Sequence, residues 1–88
     1  MNKVIIHLIC PDQKGIIAEL TSTLYNANAN ILSIEQHVDN QDKKFYIRIL
    51  SDLSTLKNKF DDLKNNLCLI NSKLKGEITF FDPNTKVN

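Results

Sequence analysis

The chain has 88 residues, of which 42% are hydrophobic and 24% charged, a balance typical of one globular domain rather than a disordered segment. Its 11 basic and 10 acidic residues leave a net charge of +1, too small for the long-range field that attracts nucleic acid or an acidic membrane. The sequence has no run of about 18 apolar residues that would predict a membrane span, and the short apolar N-terminal run indicates a buried strand rather than a signal peptide. We expect a cytoplasmic protein whose two cysteines, Cys10 and Cys68, are reduced.

The first half of the chain predicts a strand, a helix and a second strand. Lys3 to Ile9 is an apolar run rich in β-branched residues, which is typical of a strand. The apolar spacing that follows predicts a helix from Gln13 to Asn28, with Asp12 as its N-cap and asparagines at its end. Ile31 to Asp39 alternates apolar and polar side chains, as expected for a half-buried strand.

The second half predicts two strands around a second helix. The predicted elements are a strand over Lys43–Leu50, a helix from Leu53 or Ser54 to Leu69, and a last strand over Lys73–Phe81. Asn40–Asp42 is a short polar link, so the second and third strands form a hairpin. Gly76 is expected to be a weak point or a bulge in the last strand.

The resulting order, β-α-β-β-α-β, predicts an α+β fold. We expect a ferredoxin-like βαββαβ sandwich, in which a four-stranded antiparallel sheet carries two helices on one face. Right-handed crossovers place the first and third strands at the centre of this sheet and leave the second and fourth strands as its edges.

No residues in the chain have the spacing of a catalytic or metal site. His7 and Cys10 lie on opposite faces of the first strand, and the adjacent Asp61 and Asp62 point in different directions from a helix. The histidines and cysteines show no metal-ligand spacing. We therefore predict no catalytic residue, no metal and no cofactor within this chain.

RNA-recognition domains share the same element order, and they stack bases on aromatic side chains of the central strands. Phe45 and Tyr46 are adjacent on the third strand, so only one of them points to the open side of the sheet. The first strand has no aromatic residue, and the Lys/Arg-Gly-aromatic signature of RNA-binding strands is absent. We predict no nucleic-acid partner.

The turn between the first strand and the first helix is the strongest candidate for a binding site. It reads Cys10-Pro11-Asp12-Gln13-Lys14-Gly15-Ile16-Ile17, and such a turn directs free backbone N–H groups and the positive end of a helix dipole at one point. An anion fits there, and the carboxylate of a small amino acid is one candidate. The alternative is a well-capped loop without a ligand, because Pro-Asp-x-x-Gly turns are common.

The same residues resemble a known family. The run from Ile9 to Ala18 resembles the ACT domain, a small regulatory module that senses amino acids, and most closely the N-terminal ACT domain of formyltetrahydrofolate deformylases. The resemblance extends to Asn30-Ile31, Val38-Asp39 and Phe45-Tyr46-Ile47-Arg48.

The resemblance implies a regulatory role in one-carbon and purine metabolism. Enzymes of the deformylase family hydrolyse 10-formyltetrahydrofolate to tetrahydrofolate and formate, using Asn, His and Asp in a domain that follows the ACT domain. This chain would then be an ACT domain over residues 1–82, with 83–88 as a tail or linker toward a catalytic domain that is absent from the sequence. Whether it is part of a hydrolase or a stand-alone ACT protein stays open.

The resemblance also implies a ligand site shared between two copies, where the turn meets the second strand of a partner. The positions implied are Asp12, Gln13, Lys14, Gly15 and Ile16, together with His37, Val38 and Asp39. We prefer a capping role for Asp12 over contact with the ligand's ammonium group, because capping needs no ligand. The expected partners are a small amino acid, whose identity stays open, and a second copy bound through sheet edges or adjacent helices. The alternative is a dimerisation module without a small ligand.

Overall fold

The computed structural model describes residues 2–83, which form a four-stranded antiparallel sheet and two helices. The elements are β1 (Lys3–Pro11), α1 (Ile16–Asn26), β2 (Asn30–Asp39), β3 (Lys44–Asp52), α2 (Phe60–Leu74) and β4 (Glu77–Phe81). The strand order is β2-β3-β1-β4, so β1 and β3 are central. The predicted ferredoxin-like βαββαβ sandwich is confirmed.

A single apolar core lies between the sheet and the helices. Alternate side chains of β1 and β3 point into it, as a strand period of two requires. The helices contribute stripes with a spacing of three or four residues. The fully buried large side chains from these elements are Val4, Ile6, Leu8, Ile16, Leu20, Leu24, Ile47, Ile49, Leu63 and Leu67.

The first helix begins three residues later than predicted, and Asp12 does not cap it. Gly15 is the N-cap residue, in the left-handed conformation with φ 85°, and no side chain caps this helix. The backbone N–H of Asp12 donates instead to the carbonyl of Lys43 at 2.9 Å, so Asp12 continues the pairing of β1 with the end of the β2–β3 hairpin. Asn28 adopts φ 65° just beyond the helix, which confirms the predicted asparagine stop.

The second helix is displaced along the chain from its predicted position. Residues 53–59 are irregular because tertiary hydrogen bonds hold them. The N–H of Lys57 donates to Ala27 O at 3.1 Å, and Thr55 exchanges hydrogen bonds of 2.7 and 2.8 Å with Asn28. Leu53 belongs to this loop, but its side chain is buried in the core. Its spacing from the apolar residues of the helix therefore resembled that of a helical residue. At the other end, Leu74 continues the buried stripe, and β4 therefore begins at Glu77 rather than Lys73.

The β2 strand has the predicted alternation but is not half-buried in this chain. Leu32, Ile34 and Val38 are 45%, 39% and 41% exposed, because the helices do not extend far enough to cover this edge strand. A register irregularity lies between Ile31 and Ser33. The apolar side of β2 is therefore only partly covered in a single copy.

Apart from Pro83, the predicted tail over residues 83–88 lies outside the described residues. Among residues 2–83, no helix is long and apolar enough to cross a membrane.

Gly76 lies between α2 and β4, not in a bulge of the last strand, and it is tightly enclosed. A Cβ at this position would lie 2.8 Å from Leu8 Cδ1, 2.9 Å from Cys10 Cβ and 2.9 Å from the carbonyl oxygen of Ile9. The carbonyl belongs to a central strand and cannot easily move. At Gly15, by contrast, a Cβ would meet no atom within 4 Å, and only its positive φ would disfavour a side chain.

We therefore predict unequal costs for the two glycine-to-alanine changes. Gly76→Ala should lower the free energy of unfolding by about 3 kcal/mol, at the upper end of the cost of overpacking. Gly15→Ala should lower it by about 1 kcal/mol, the cost of a left-handed residue with a Cβ. Urea denaturation of both variants measures the difference, and equal losses would contradict the packing argument.

The two cysteines occupy opposite environments. Cys10 is 2% exposed under the helices, whereas Cys68 is exposed on α2, and both are free thiols. Burial raises the pKa of the Cys10 thiol, and the negative charge of Asp12 raises this pKa further. A raised pKa reduces the thiolate fraction, which is the form that reacts.

We predict that iodoacetamide at pH 8 labels the native protein at Cys68, and that Cys10 is labelled at least about tenfold more slowly. Mass spectrometry of the labelled peptides measures both rates. Cys68→Ser should abolish the fast phase, Cys10→Ser should keep it, and denaturant should equalise the two sites. Fast labelling of native Cys10 would contradict its burial.

Candidate functional site

The turn from Asp12 to Gly15 connects β1 to α1 and forms the candidate site. The N–H of Glu19 donates to Gly15 O at 2.9 Å, which closes the first helical turn. The N–H groups of Ile16, Ile17 and Ala18 therefore precede the first residue that has a carbonyl partner within the helix. Because no atom lies within 4 Å of a Cβ built on Gly15, a ligand can approach these groups closely.

Gln13 holds this turn in place. Its Nε2 donates to the carbonyl of Pro11 at 3.0 Å and to the carbonyl of Leu74 at 3.1 Å. Leu74 is the last residue of α2, so one amide group connects the turn to the end of the second helix. The sequence pattern did not reveal this contact, because Gln13 and Leu74 are 61 positions apart.

The other predicted turn residues differ in whether their side chains are exposed or buried. Asp12 and Lys14 are exposed, and their charged groups border the turn. Ile16 is 2% exposed, so its side chain belongs to the core and only its backbone N–H faces the turn. With capping by Asp12 excluded, its carboxylate stays available for a cationic group.

The predicted residues of β2 reach the same end of the sheet as the turn. Lys44 of β3 pairs with Pro11 on one side and with Asp39 on the other. The ends of β1 and β2 are thus separated by one strand, or about 10 Å at ordinary strand spacing. Within one copy, β3 lies between the turn and β2.

The three β2 residues do not share one face. Val38 pairs with buried Phe45 and lies on the helix side of the sheet, as Gly15 does. His37 pairs with Tyr46 on the opposite side, where the two ring centroids are 6.0 Å apart. Asp39 accepts hydrogen bonds from the N–H groups of Gln41 at 3.0 Å and Asp42 at 3.3 Å, so its carboxylate stabilises the hairpin turn.

Within residues 2–83, the histidine, cysteine and acidic side chains form no group of three or more that could hold a metal ion. The partly covered apolar strip of β2, formed by Leu32, Ile34 and Val38, is a surface that the sequence pattern signalled as apolar but assigned to the core. Val38 lies at the same end of the sheet as the turn, whereas Leu32 lies at the opposite end.

Sequence comparison assigns the chain to a family. The sequence model of the ACT domain matches residues 4–66. The UPF0237 protein MJ1558 of Methanocaldococcus jannaschii is 37% identical over 67 residues, which are 76% of this chain and 72% of that protein. The formyltetrahydrofolate deformylase of Escherichia coli K12 is 35% identical over 48 residues, which are 54% of this chain but only 17% of the enzyme.

Solved structures agree with the fold. A formyltetrahydrofolate deformylase from Pseudomonas syringae superposes with a TM-score of 0.87 at 24% identity, covering 98% of this chain and 29% of the enzyme. An ACT domain protein from Streptococcus pneumoniae superposes with a TM-score of 0.74 at 25% identity, covering 91% of this chain and 88% of that one. The chain belongs to the ACT domain family, and its sequence and fold are similar to the N-terminal domains of formyltetrahydrofolate deformylases.

Proposed function

We propose that this chain is an amino-acid-binding regulatory domain of a formyltetrahydrofolate deformylase-like protein, and that it binds its effector between two copies. The parent enzyme would hydrolyse 10-formyltetrahydrofolate to formate and tetrahydrofolate, and the ACT domain would adjust that activity. The observation that carries the proposal is the open, left-handed Gly15 at the start of α1.

Carboxylate recognition follows from this geometry. A helix N-terminus carries about half a positive charge and several N–H donors without helical partners. The carboxylate of an amino acid needs such donors on both of its oxygens. The absent side chain at Gly15 allows the carboxylate to approach, and Gln13 keeps the turn rigid through its bond to Leu74. A rigid site loses little entropy when the ligand binds.

The ammonium group requires an acceptor, and Asp12 supplies an exposed carboxylate beside the turn. Lys14, exposed and next to Gly15, adds a positive charge to the same turn. One positive helix end and one acidic side chain in the same turn match the two charges of an amino acid. The charge pattern therefore favours a zwitterion over a simple anion.

A second copy would complete the site through β2. Among residues 2–83, only β3 pairs with β2, so the outer edge of β2 has backbone groups that no described strand pairs with. Such an edge is normally covered or paired. Antiparallel pairing of two β2 strands around a two-fold axis would give a continuous sheet and would cover the strip of Leu32, Ile34 and Val38. At the end of the sheet where the turn of one copy lies, this pairing would place the start of the partner's β2, at Asn30 and Ile31.

A second candidate function is dimerisation without a ligand. The exposed β2 strip supports it independently of the turn, because the strip favours association whether or not an amino acid binds. The match to the Methanocaldococcus protein over 72% of its length also fits a short chain that acts without a catalytic domain. Calorimetry separates the two functions.

We predict that titration calorimetry with the twenty amino acids at millimolar concentration detects saturable binding of at least one. Gly15→Asn should weaken that binding about tenfold or more, equivalent to about 1.4 kcal/mol, because the side chain stands in front of the N–H groups. Asparagine tolerates the left-handed conformation, so the fold should persist. Asn65→Ala, at an exposed position of α2, is the control and should bind normally. Absence of binding by any amino acid would favour the dimerisation module.

The β2 contact is tested by a lysine on the strip. Ile34→Lys should raise the dimer dissociation constant at least about tenfold, because a charge on an edge strand opposes pairing. Leu69→Lys is the matched control, since Leu69 is also an exposed apolar residue, 69% exposed on α2. Sedimentation equilibrium measures both variants. An unchanged dissociation constant for Ile34→Lys would exclude β2 from the interface.

A further inference from the structure

The face of the sheet opposite the helices, called here the open face, has more apolar side chains than a solvent-facing sheet needs. β1 is apolar on both sides, because Val4, Ile6 and Leu8 point into the core while Ile5 and Ile9 point to the open face. An antiparallel sheet with one face in water normally alternates apolar and polar residues along each strand. The lack of alternation in β1 therefore indicates that the open face is covered.

The strand register organises these side chains into rows. Ile5 pairs with Leu50 on one side and with Phe81 on the other, which forms an apolar row across three strands. Four residues further along β1, a second row joins Ile9 to Tyr46. Ile5, Ile9, Tyr46 and Leu50 are each half-buried, and Phe81 is 48% exposed.

A polar row lies between the two apolar rows. His7 pairs with Arg48 and with Thr79, and Arg48 pairs with Glu35. Arg48 Nη1 lies 3.5 Å from Glu35 Oε1. The open face is therefore two apolar bands separated by a charged one, with an acidic group, Glu77, at the β4 edge.

We propose that a second copy of this chain covers the open face, so that two sheets pack face to face. Packed sheets lie about 10 Å apart and cross at about 30°. The contact is separate from the β2 edge and does not depend on amino-acid binding. If both contacts form, four chains assemble as two continuous sheets.

The positions of the rows select one two-fold axis, parallel to the strands and midway between β1 and β3. Rotation about this axis places β1 against the partner's β3 and β4 against the partner's β2. Ile5 then faces the partner's Leu50, and Ile9 faces the partner's Tyr46. Each apolar band thus contacts an apolar band.

The charges agree with this axis. Glu77 on β4 faces the partner's His37 on β2, and Thr79 faces the partner's Glu35. His7 faces the partner's Arg48, and an imidazole ring can stack on a guanidinium plane. An axis perpendicular to the strands through the polar row would instead place Arg48 against Arg48 and Glu35 against Glu35, which like-charge repulsion disfavours.

The size of the face is sufficient for a stable contact. The described residues form a slab with extents of 38, 32 and 19 Å, and the sheet provides one of its broad sides. A standard interface uses about 800 Å² of each partner, an area comparable to such a broad side.

Sedimentation velocity of the wild-type chain and of Leu50→Glu tests the proposal. The wild type should associate, and Leu50→Glu should halve the mass of its largest species. Leu69→Glu on α2 is the matched control and should sediment as the wild type does. Circular dichroism verifies folding, which should persist because Leu50 lies outside the main core. A monomeric wild type at about 100 μM, a concentration at which even weak dimers form, or an unchanged mass for Leu50→Glu would overturn the proposal.

A charge exchange tests the facing residues and does not rely on an apolar change. Glu77→Lys should weaken the association about tenfold or more, because it removes the carboxylate that accepts a hydrogen bond from the partner's His37. Adding His37→Glu in the same chain should restore it. Asp61→Lys, in the first turn of α2, is the control and should have no effect. Failure of the double variant to restore association would overturn this register. Ile34→Lys acts on the β2 edge, so the two contacts can fail separately.

Discussion

The central position of β1 constrains the rest of this domain. The strand pairs with β3 and β4, and the N–H of Asp12 continues its pairing as far as Lys43. This pairing fixes where the chain must turn, and α1 begins at Ile16, directly after its N-cap Gly15, as a result. The candidate binding turn is therefore held by the sheet on one side and by the Gln13–Leu74 hydrogen bond on the other. A ligand bound at this turn would therefore contact a segment that is connected to both the sheet and the helices.

Because β1 is central, two surfaces of the sheet keep exposed apolar side chains in a single copy. The helices cover the central strands but only part of the apolar side of β2, and nothing among the described residues covers the outward side chains of β1. Both surfaces carry apolar side chains, and both belong to the sheet that holds the turn in place. A domain of this kind gains from assembly, because a ligand bound at one contact can favour one arrangement of the subunits.

The sequence was sufficient for the fold because strand and helix periods differ and the connections are short. It was insufficient where tertiary contacts override local pattern. Leu53 has the spacing of a helical residue, yet hydrogen bonds at Thr55 and Lys57 hold its segment as a loop. Asp12 is a residue type that commonly caps helices, yet here its backbone N–H donates a hydrogen bond to Lys43 and extends the sheet. The apolar alternation of β2 identified the strand correctly. The sequence pattern does not show whether the apolar side of this strand is covered by its own helices or by a second copy.

The central claim is that the N–H groups at the start of α1 receive the carboxylate of an amino acid. Nitrogen-15 correlation NMR of the labelled chain, titrated with individual amino acids, observes those groups directly. The account predicts saturable shifts for the amides of Gly15, Ile16 and Ile17, accompanied by Asn30 at the start of β2 in the adjoining copy. Shifts confined to other parts of the domain, or no shift with any amino acid, would contradict it.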